Sequence, residues 1–238
     1  MATMNRLLLQ IKNLLQPQQC AVCGCRLSHR EQVCCFVCNV HLPRTHFARE
    51  PYTNRMARLL WGRIPIEKIA AFYYHHPKSA SASIIYDMKY YNNPTLGYRI
   101  ARMLVAEPDF QHFFDGIDCM VPIPLSASRQ RMRGYNQCQY LVEGLCEATG
   151  IPIVKNAVRR TLFIESQTKK DFRKRNDNVE GVFELNCGDG IRNKHVLLVD
   201  DVMTTGATVC SCAKELLKVE GVKLSVLTLA YSKQQLPR

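Results

Sequence analysis

The sequence lacks the features that would place the chain in a membrane or direct it across one. No stretch approaches the ~20 apolar residues that a membrane-spanning helix needs. A secretory signal is also missing, because Gln10 and Lys12 interrupt the apolar residues of positions 1–16. These residues have the pattern of an amphipathic helix, which we expect to pack on the rest of the protein, with a membrane-surface position as the alternative. The protein is therefore predicted to be cytoplasmic, where thiols stay reduced.

Internal repeats and low-complexity segments are absent as well, and acidic residues are scarce in the middle of the chain. The formal net charge is +12. Between Arg129 and Arg175 there are eleven Lys and Arg residues but only four Asp and Glu residues. Such a stretch suits an anionic partner, although a solvated basic face has the same composition. The 238 residues are enough to form a core without cross-links, so the twelve cysteines need a separate explanation.

Six of the twelve cysteines lie between Cys20 and Cys38. They include two CxxC pairs, Cys20 with Cys23 and Cys35 with Cys38, separated by eleven residues. The thiolates of one such pair can turn back onto a single ion, and two pairs complete a tetrahedron of sulfur ligands. The spacing predicts a closed structural zinc site with these four ligands. Cys34 is an alternative to Cys35, and a redox pair or a cluster of buried cysteines are the other interpretations.

From Lys68 onward, short apolar runs alternate with amphipathic segments. The pattern predicts strands at residues 69–74, 117–121, 196–199 and 224–231, and helices at residues 80–90, 94–105, 135–148 and 207–219. Strands that alternate with helices indicate an α/β domain with a parallel sheet covered by helices. We expect a zinc-ribbon-like module with its preceding helix over residues 1–50, a linker over residues 51–67 and the α/β domain over residues 68–238.

The most informative stretch spans residues 196–209. Four apolar residues form a buried strand, and Asp200 and Asp201 follow at its carboxyl end, where ligands bind in open α/β sheets. The next residues are Thr204, Thr205, Gly206, Ala207 and Thr208. Their hydroxyls, a glycine and the free amides of a helix start suit a phosphate. Because two carboxylates repel a bare phosphate, the ligand should also offer hydroxyls or a magnesium ion, as a ribose 5-phosphate does.

The order of an apolar strand, two acids and T-T-G-x-T resembles the diagnostic motif of type I phosphoribosyltransferases. Further segments narrow the resemblance: residues 88–90 (M-K-Y), 121–126 (V-P-I-P-L-S), 133–137 (R-G-Y-N-Q), Arg160 with Thr161, Gln167, and Arg175 with the residues up to Phe183. Together with the double CxxC pattern, they make nearly the whole chain similar to the ComF family. That family includes the competence-associated ComF proteins and GntX-like relatives.

The resemblance implies a type I phosphoribosyltransferase-like sheet that binds 5-phosphoribosyl-1-pyrophosphate (PRPP) together with Mg²⁺. Asp200 and Asp201 would then hold the ribose 2- and 3-hydroxyls, directly or through the metal, at the catalytic centre. The loop that receives pyrophosphate would contain Pro124, Leu125 and Ser126. Residues 165–178 resemble the mobile loop that covers the site in related enzymes, and an exposed basic helix is the alternative.

Four arginines can clamp phosphates through bidentate contacts: Arg131, Arg133, Arg160 and Arg175. Their spacing does not decide between pyrophosphate and nucleic acid. Six tyrosines, at positions 73, 74, 86, 90, 91 and 98, can stack on bases or pack in the core. The six cysteines outside the cluster are expected to be buried small apolar residues.

The ComF resemblance implies a part in natural transformation, in which incoming single-stranded DNA is handled in the cytoplasm with a competence helicase and recombination proteins as partners. The basic central stretch is compatible with such a role. Turnover stays open, because no general base is apparent and no base-binding pattern identifies an acceptor. The alternatives are an active phosphoribosyltransferase of nucleotide or intermediary metabolism without a DNA role, and the nutrient-utilisation role suggested by the GntX-like relatives.

Overall fold

The computed structural model of the chain describes residues 18–90, 93–161 and 182–232. The amphipathic helix expected at residues 1–16 lies outside the described residues, and so do Tyr91, Gln167, Arg175 and the whole of segment 165–178.

Four parallel strands form the central sheet, and an antiparallel pair lies beside it. The strands are β1 Ile69–Tyr74, β2 Cys119–Pro122, β3 Val158–Arg160, β4 Phe183–Leu185, β5 His195–Met203 and β6 Lys223–Tyr231. The order in the sheet is β1-β6-β5-β2, and β3 pairs with β4. Alternate residues of β5 enter separate cores, Leu197 and Val199 on one face and Val196 and Leu198 on the other. The predicted parallel α/β sheet, buried on both faces, is confirmed.

Seven α-helices are present in the described parts of the chain. They are α1 Phe36–Val40, α2 Arg55–Leu60, α3 Ala80–Tyr90, α4 Pro94–Val105, α5 Ala127–Arg133, α6 Gln137–Thr149 and α7 Ala207–Leu216. Helices α3, α4 and α6 pack with the cysteine-rich segment on one face of the sheet, and α2, α7 and the β3–β4 pair pack on the other. The sheet is therefore covered on both sides, which leaves its strand ends as the open edges.

The helix bounds show which local signals were sufficient. Helices α3 and α4 have the predicted bounds, and Pro94 occupies the first turn of α4, where its missing N–H costs nothing. Helix α6 begins later than predicted because the side chain of Asn136 accepts a hydrogen bond from the Cys138 amide and caps it there. Helix α7 ends at Leu216, three residues earlier than predicted. Helix α5 was not predicted, since it buries none of its residues and so has no apolar periodicity.

The segment that joins the cysteines to the sheet contributes to the core. The Asn54 side chain accepts from the amides of Met56 and Ala57 and so caps α2, while its Nδ2 donates to the Ile69 carbonyl of β1. Met56, Ala57 and Leu60 of α2 are fully buried. No helix in the described ranges is long and apolar enough to cross a membrane.

Candidate functional site

The acid pair lies inside a strand rather than after one. The predicted strand ended at residue 199, but β5 continues to Met203 because Asp200 pairs with Thr228 and Val202 pairs with Ala230 of β6. Both carboxylates are consequently buried near the carboxyl end of the sheet. Burial of two adjacent acids demands partners, and the two differ in what they find.

Asp201 is fully engaged by neighbouring donors. Its Oδ2 lies 2.8 Å from the Nζ of Lys89 and accepts a 2.6 Å hydrogen bond from the Nε2 of Gln137. Its Oδ1 accepts from the Val202 amide at 2.6 Å. Burial alone would raise the pKa of Asp201, but the Lys89 ammonium and these hydrogen bonds outweigh it and lower the pKa below its usual value. Asp201 is therefore an ionised anchor for α3 and α6.

Asp200 keeps one oxygen open. Its Oδ1 accepts from the Asp201 amide at 2.8 Å and from the Cys138 thiol at 3.7 Å, whereas no donor among the described residues reaches its Oδ2. Burial, and then the neighbouring charge of Asp201, raise the pKa of Asp200 to about 7. The Asp200 side lines a cavity of about 140 Å³ together with residues 202–209. The acid with the free oxygen thus faces the candidate phosphate loop.

The loop between β5 and α7 has the geometry of an anion site. Gly206 adopts φ 77° and precedes α7 without any side-chain cap, so amides of the first turn stay available. Within the loop, the Ala207 amide lies 3.4 Å from the Thr205 Oγ1. A Cβ at position 206 would lie 2.6 Å from the Cδ2 of buried Leu60, so that only glycine fits there.

Arg63, which the sequence gave no reason to select, also reaches this loop. Its Nη1 donates to the Thr205 carbonyl at 2.7 Å across 142 residues of sequence. The side chain is exposed and follows the buried turn of α2. It therefore adds a cation to the rim of the loop.

A second loop begins on the neighbouring strand. Pro122, the last residue of β2, pairs with Val199 of β5, and the Ile123 amide donates to the Val199 carbonyl at 2.9 Å. The loop continues through Pro124, Leu125 and Ser126, which are all half-buried. Ser126 accepts from the Arg129 amide at 3.3 Å and begins α5. The two loops predicted to bind phosphates therefore leave the sheet from adjacent strands, one residue before the acid pair.

The predicted arginines do not converge on a single point. Arg131 is exposed on α5, and the Arg133 guanidinium lies 5.3 Å from the centre of the Tyr90 ring. The Arg160 guanidinium lies 5.2 Å from the centre of the Phe183 ring. Burial, and then the charge of Arg129, lower the pKa of Arg160, while the charge of Asp200 opposes them. Of these arginines, Arg160 is the one that senses the acid pair electrostatically.

The four cysteines of the two CxxC pairs come together. The Sγ atoms of Cys20, Cys23, Cys35 and Cys38 all lie within 4.8 Å of one another. The Cys23 and Cys35 sulfurs are 3.8 Å apart, close to the edge of roughly 3.8 Å in a tetrahedron with metal–sulfur distances of about 2.3 Å. The amides of Val22, Cys23 and Cys35 point at the Cys20 sulfur at 3.4–3.5 Å, which favours a thiolate.

These four residues fit a structural zinc ion, with no position left for a substrate. Cys34, the alternative third ligand, is buried outside the group with its Sγ 3.9 Å from Asn39 Oδ1. Elsewhere, Cys119, Cys138, Cys210 and Cys212 are buried as expected, whereas Cys187 is exposed, contrary to expectation.

The tyrosines that could pack or stack fall into both classes. Tyr73 is completely buried in the core, and Tyr74 and Tyr98 are half-buried. Tyr86 and Tyr90 are 53% and 54% exposed. Core packing therefore accounts for Tyr73 but not for the pair on α3.

Comparison with known proteins agrees with this architecture. The family described as "Phosphoribosyl transferase domain" matches residues 165–237. Competence protein F of Haemophilus influenzae is 30% identical over 151 residues, which cover 62% of this chain and 66% of that protein. DNA utilization protein YhgH of Escherichia coli K12 is 27% identical over 202 residues, 84% of each chain. Competence protein ComFC of Bacillus subtilis is 35% identical over 116 residues, 48% of this chain and 44% of that protein. With its phosphoribosyltransferase-like sheet and its cysteine module, the chain belongs to the ComF family.

Proposed function

We propose that this ComF protein binds PRPP or a related ribose phosphate together with Mg²⁺, and that it acts on DNA during uptake and use. The observation that carries the first part is the cavity that Asp200 shares with the threonine loop. The second part is supported by relatives whose names refer to competence and to DNA utilization. The formal charge of +12 suits a polyanionic partner.

The ribose 5-phosphate would bind to the loop Thr204–Thr208, through its amides and hydroxyls, with Arg63 at the rim. The free Oδ2 of Asp200 would accept from a ribose hydroxyl or ligate the metal, and the remaining lone pair of Asp201 Oδ1 would add a second acceptor. Mg²⁺, when bound with PRPP, supplies positive charge that neutralises pyrophosphate. Lys89 and Gln137 hold the Asp201 carboxylate in place before the ligand arrives.

The pyrophosphate would extend from the ribose toward Pro124–Ser126 on the adjacent strand, with Arg160 as a further cation. If the site transfers the sugar, the bond between ribose C1 and pyrophosphate breaks and its electron pair leaves with pyrophosphate. Positive charge then develops on the ribose ring, where the buried carboxylates stabilise it. A nucleophilic acceptor forms the new bond to C1.

Calorimetric titration of the zinc-loaded protein with PRPP and Mg²⁺ tests this proposal. We expect saturable binding that disappears in the Asp200→Asn, Asp201→Asn double variant and persists in Asp115→Asn. Asp115 is the matched control because it is an exposed acid before the start of β2, at the opposite edge of the sheet. Absence of binding by the folded wild type, or equal binding by the double variant, would overturn the ribose phosphate site. Single-stranded DNA binding measured on the same samples reports the second part of the proposal separately.

A further inference from the structure

An exposed aromatic pair lies on the last turns of α3. The Tyr86 and Tyr90 ring centres are 4.7 Å apart, and each residue is more than half exposed. The Arg133 guanidinium of α5 lies 5.3 Å from the centre of the Tyr90 ring. Aromatic rings lose contact area in such positions, so burial within this chain does not explain them. We call Tyr86, Tyr90 and the arginines of α5 the Tyr–Arg platform.

Two contacts hold the platform beside the acid pair. Lys89, between the two tyrosines in the chain, has its Nζ 2.8 Å from Asp201 Oδ2. The buried hydroxyl of Tyr135 donates to the Met88 carbonyl at 2.6 Å. The end of α3 is thus fixed both to the acid strand and to the turn after α5. The platform has a defined position at the mouth of the candidate site.

Helix α5 gives this surface unneutralised positive charge. Arg129, Arg131 and Arg133 stand in a helix without an acidic residue, and no carboxylate of the described residues lies within 4.0 Å of their guanidinium groups. The Nε of Arg133 is buried without a hydrogen-bond partner among those residues. Met132 is 70% exposed on the same helix. Cations next to open aromatic and apolar faces are the combination that binds both phosphates and bases.

We propose that the Tyr–Arg platform binds an unpaired base of a single-stranded nucleic acid. The base stacks on Tyr86 and Tyr90, and the α5 arginines contact the flanking phosphates. An open surface suits a base within a strand, because a pocket for a free base would enclose most of its ligand. This inference rests on the DNA part of the proposed function and does not require PRPP binding.

Fluorescence anisotropy with a labelled oligothymidylate, and with the same strand lacking its bases, separates stacking from charge. We expect wild-type protein to bind the strand with bases about tenfold more tightly, in line with the stacking of one base. The Tyr86→Leu, Tyr90→Leu variant should bind both strands with the weaker affinity. The Tyr86→Phe, Tyr90→Phe variant should retain the preference, because stacking does not need the hydroxyls.

Tyr52→Leu is the matched control, since Tyr52 is equally exposed but lies next to Pro51, whose carbonyl binds the first residue of β1 at the far edge of the sheet. A base preference that survives in the double leucine variant, or that is absent from wild type, overturns the platform. Competition by thymidine monophosphate at concentrations comparable to the strand would also overturn it, in favour of a mononucleotide. A retained base preference without PRPP binding would support the platform and reject the ribose phosphate site.

Discussion

Lys89 and Asp201 form an ion pair of 2.8 Å between α3 and β5 whose side chains are only 18% and 12% exposed. A pair with so little solvent is sensitive to the loss of one partner, because the other keeps its charge without compensation. The two acids next to each other in the sequence therefore have different structural roles. Asp201 holds Lys89, and Asp200 offers a free oxygen to the cavity.

Asp201→Asn should destabilise the protein by about 2–4 kcal/mol, because it leaves the Lys89 ammonium unpaired in a nearly buried position. Urea unfolding at neutral pH measures the change. Asp201→Asn combined with Lys89→Met should recover part of the loss, since the uncompensated charge is then gone. A single variant as stable as wild type would show that the ion pair is not formed.

Asp200→Asn should have the opposite effect and stabilise the protein. The unfolded chain releases the Asp200 proton near its usual pKa, whereas the folded protein retains it until about pH 7. Folded wild type therefore loses stability as the pH rises through this window, and asparagine does not. We expect the variant to gain roughly 2–4 kcal/mol at pH 8 and much less at pH 5 in urea unfolding. An equal gain at both pH values would contradict the raised pKa.

Cys35→Ser should abolish zinc binding, whereas Cys34→Ala should leave it intact. Only the Cys35 sulfur belongs to the group of four, and loss of one thiolate ligand opens the tetrahedron. Zinc content per protein chain, measured by inductively coupled plasma mass spectrometry, separates the two. Retention of zinc in Cys35→Ser with loss in Cys34→Ala would exchange their roles.

Gly206→Ala should weaken both folding and phosphate binding. The new Cβ meets Leu60 at 2.6 Å and Met203 at 3.0 Å, in addition to the cost of φ 77°. We expect a loss of roughly 2–3 kcal/mol in thermal or urea unfolding. Gly116→Ala is the control for φ alone, because Gly116 has φ 73° with nothing within 4 Å of its Cβ position. It should cost about 1 kcal/mol and leave PRPP affinity unchanged.

Arg63→Gln should lower PRPP affinity roughly threefold to tenfold with little change in stability, because it removes an exposed cation that holds the Thr205 carbonyl. Titration calorimetry measures the affinity. Arg58→Gln is the matched control, since Arg58 is exposed one turn earlier on α2 and donates to the Thr53 carbonyl instead. Equal affinities for the two variants would remove Arg63 from the site.

Local patterns predicted the elements whose causes are local. The bounds of α3 and α4 follow from apolar periodicity and from the proline that begins α4. The acid pair and the threonine loop stand together in one short segment, so their order could be read directly. Helix α5 left no such signal because all of its residues are at least partly exposed.

The contacts that define the site could not be predicted in this way. Lys89 and Asp201 are 112 residues apart, and Arg63 and Thr205 are 142 residues apart. Their charges and types would suit many surface positions, and only the folded sheet brings them together. The extension of β5 through Asp200 likewise depends on the β6 partner Thr228, which the segment itself does not contain.

The strand order β1-β6-β5-β2 has a consequence for synthesis of the protein. The two central strands are the last two in the chain, so β1 and β2 have no partner in the sheet until residues 195–231 have left the ribosome. Apolar strands made early remain exposed during that interval, which favours aggregation or chaperone binding. A nascent chain that stops before His195 should therefore be protease-sensitive, and the sheet should form in a single late step.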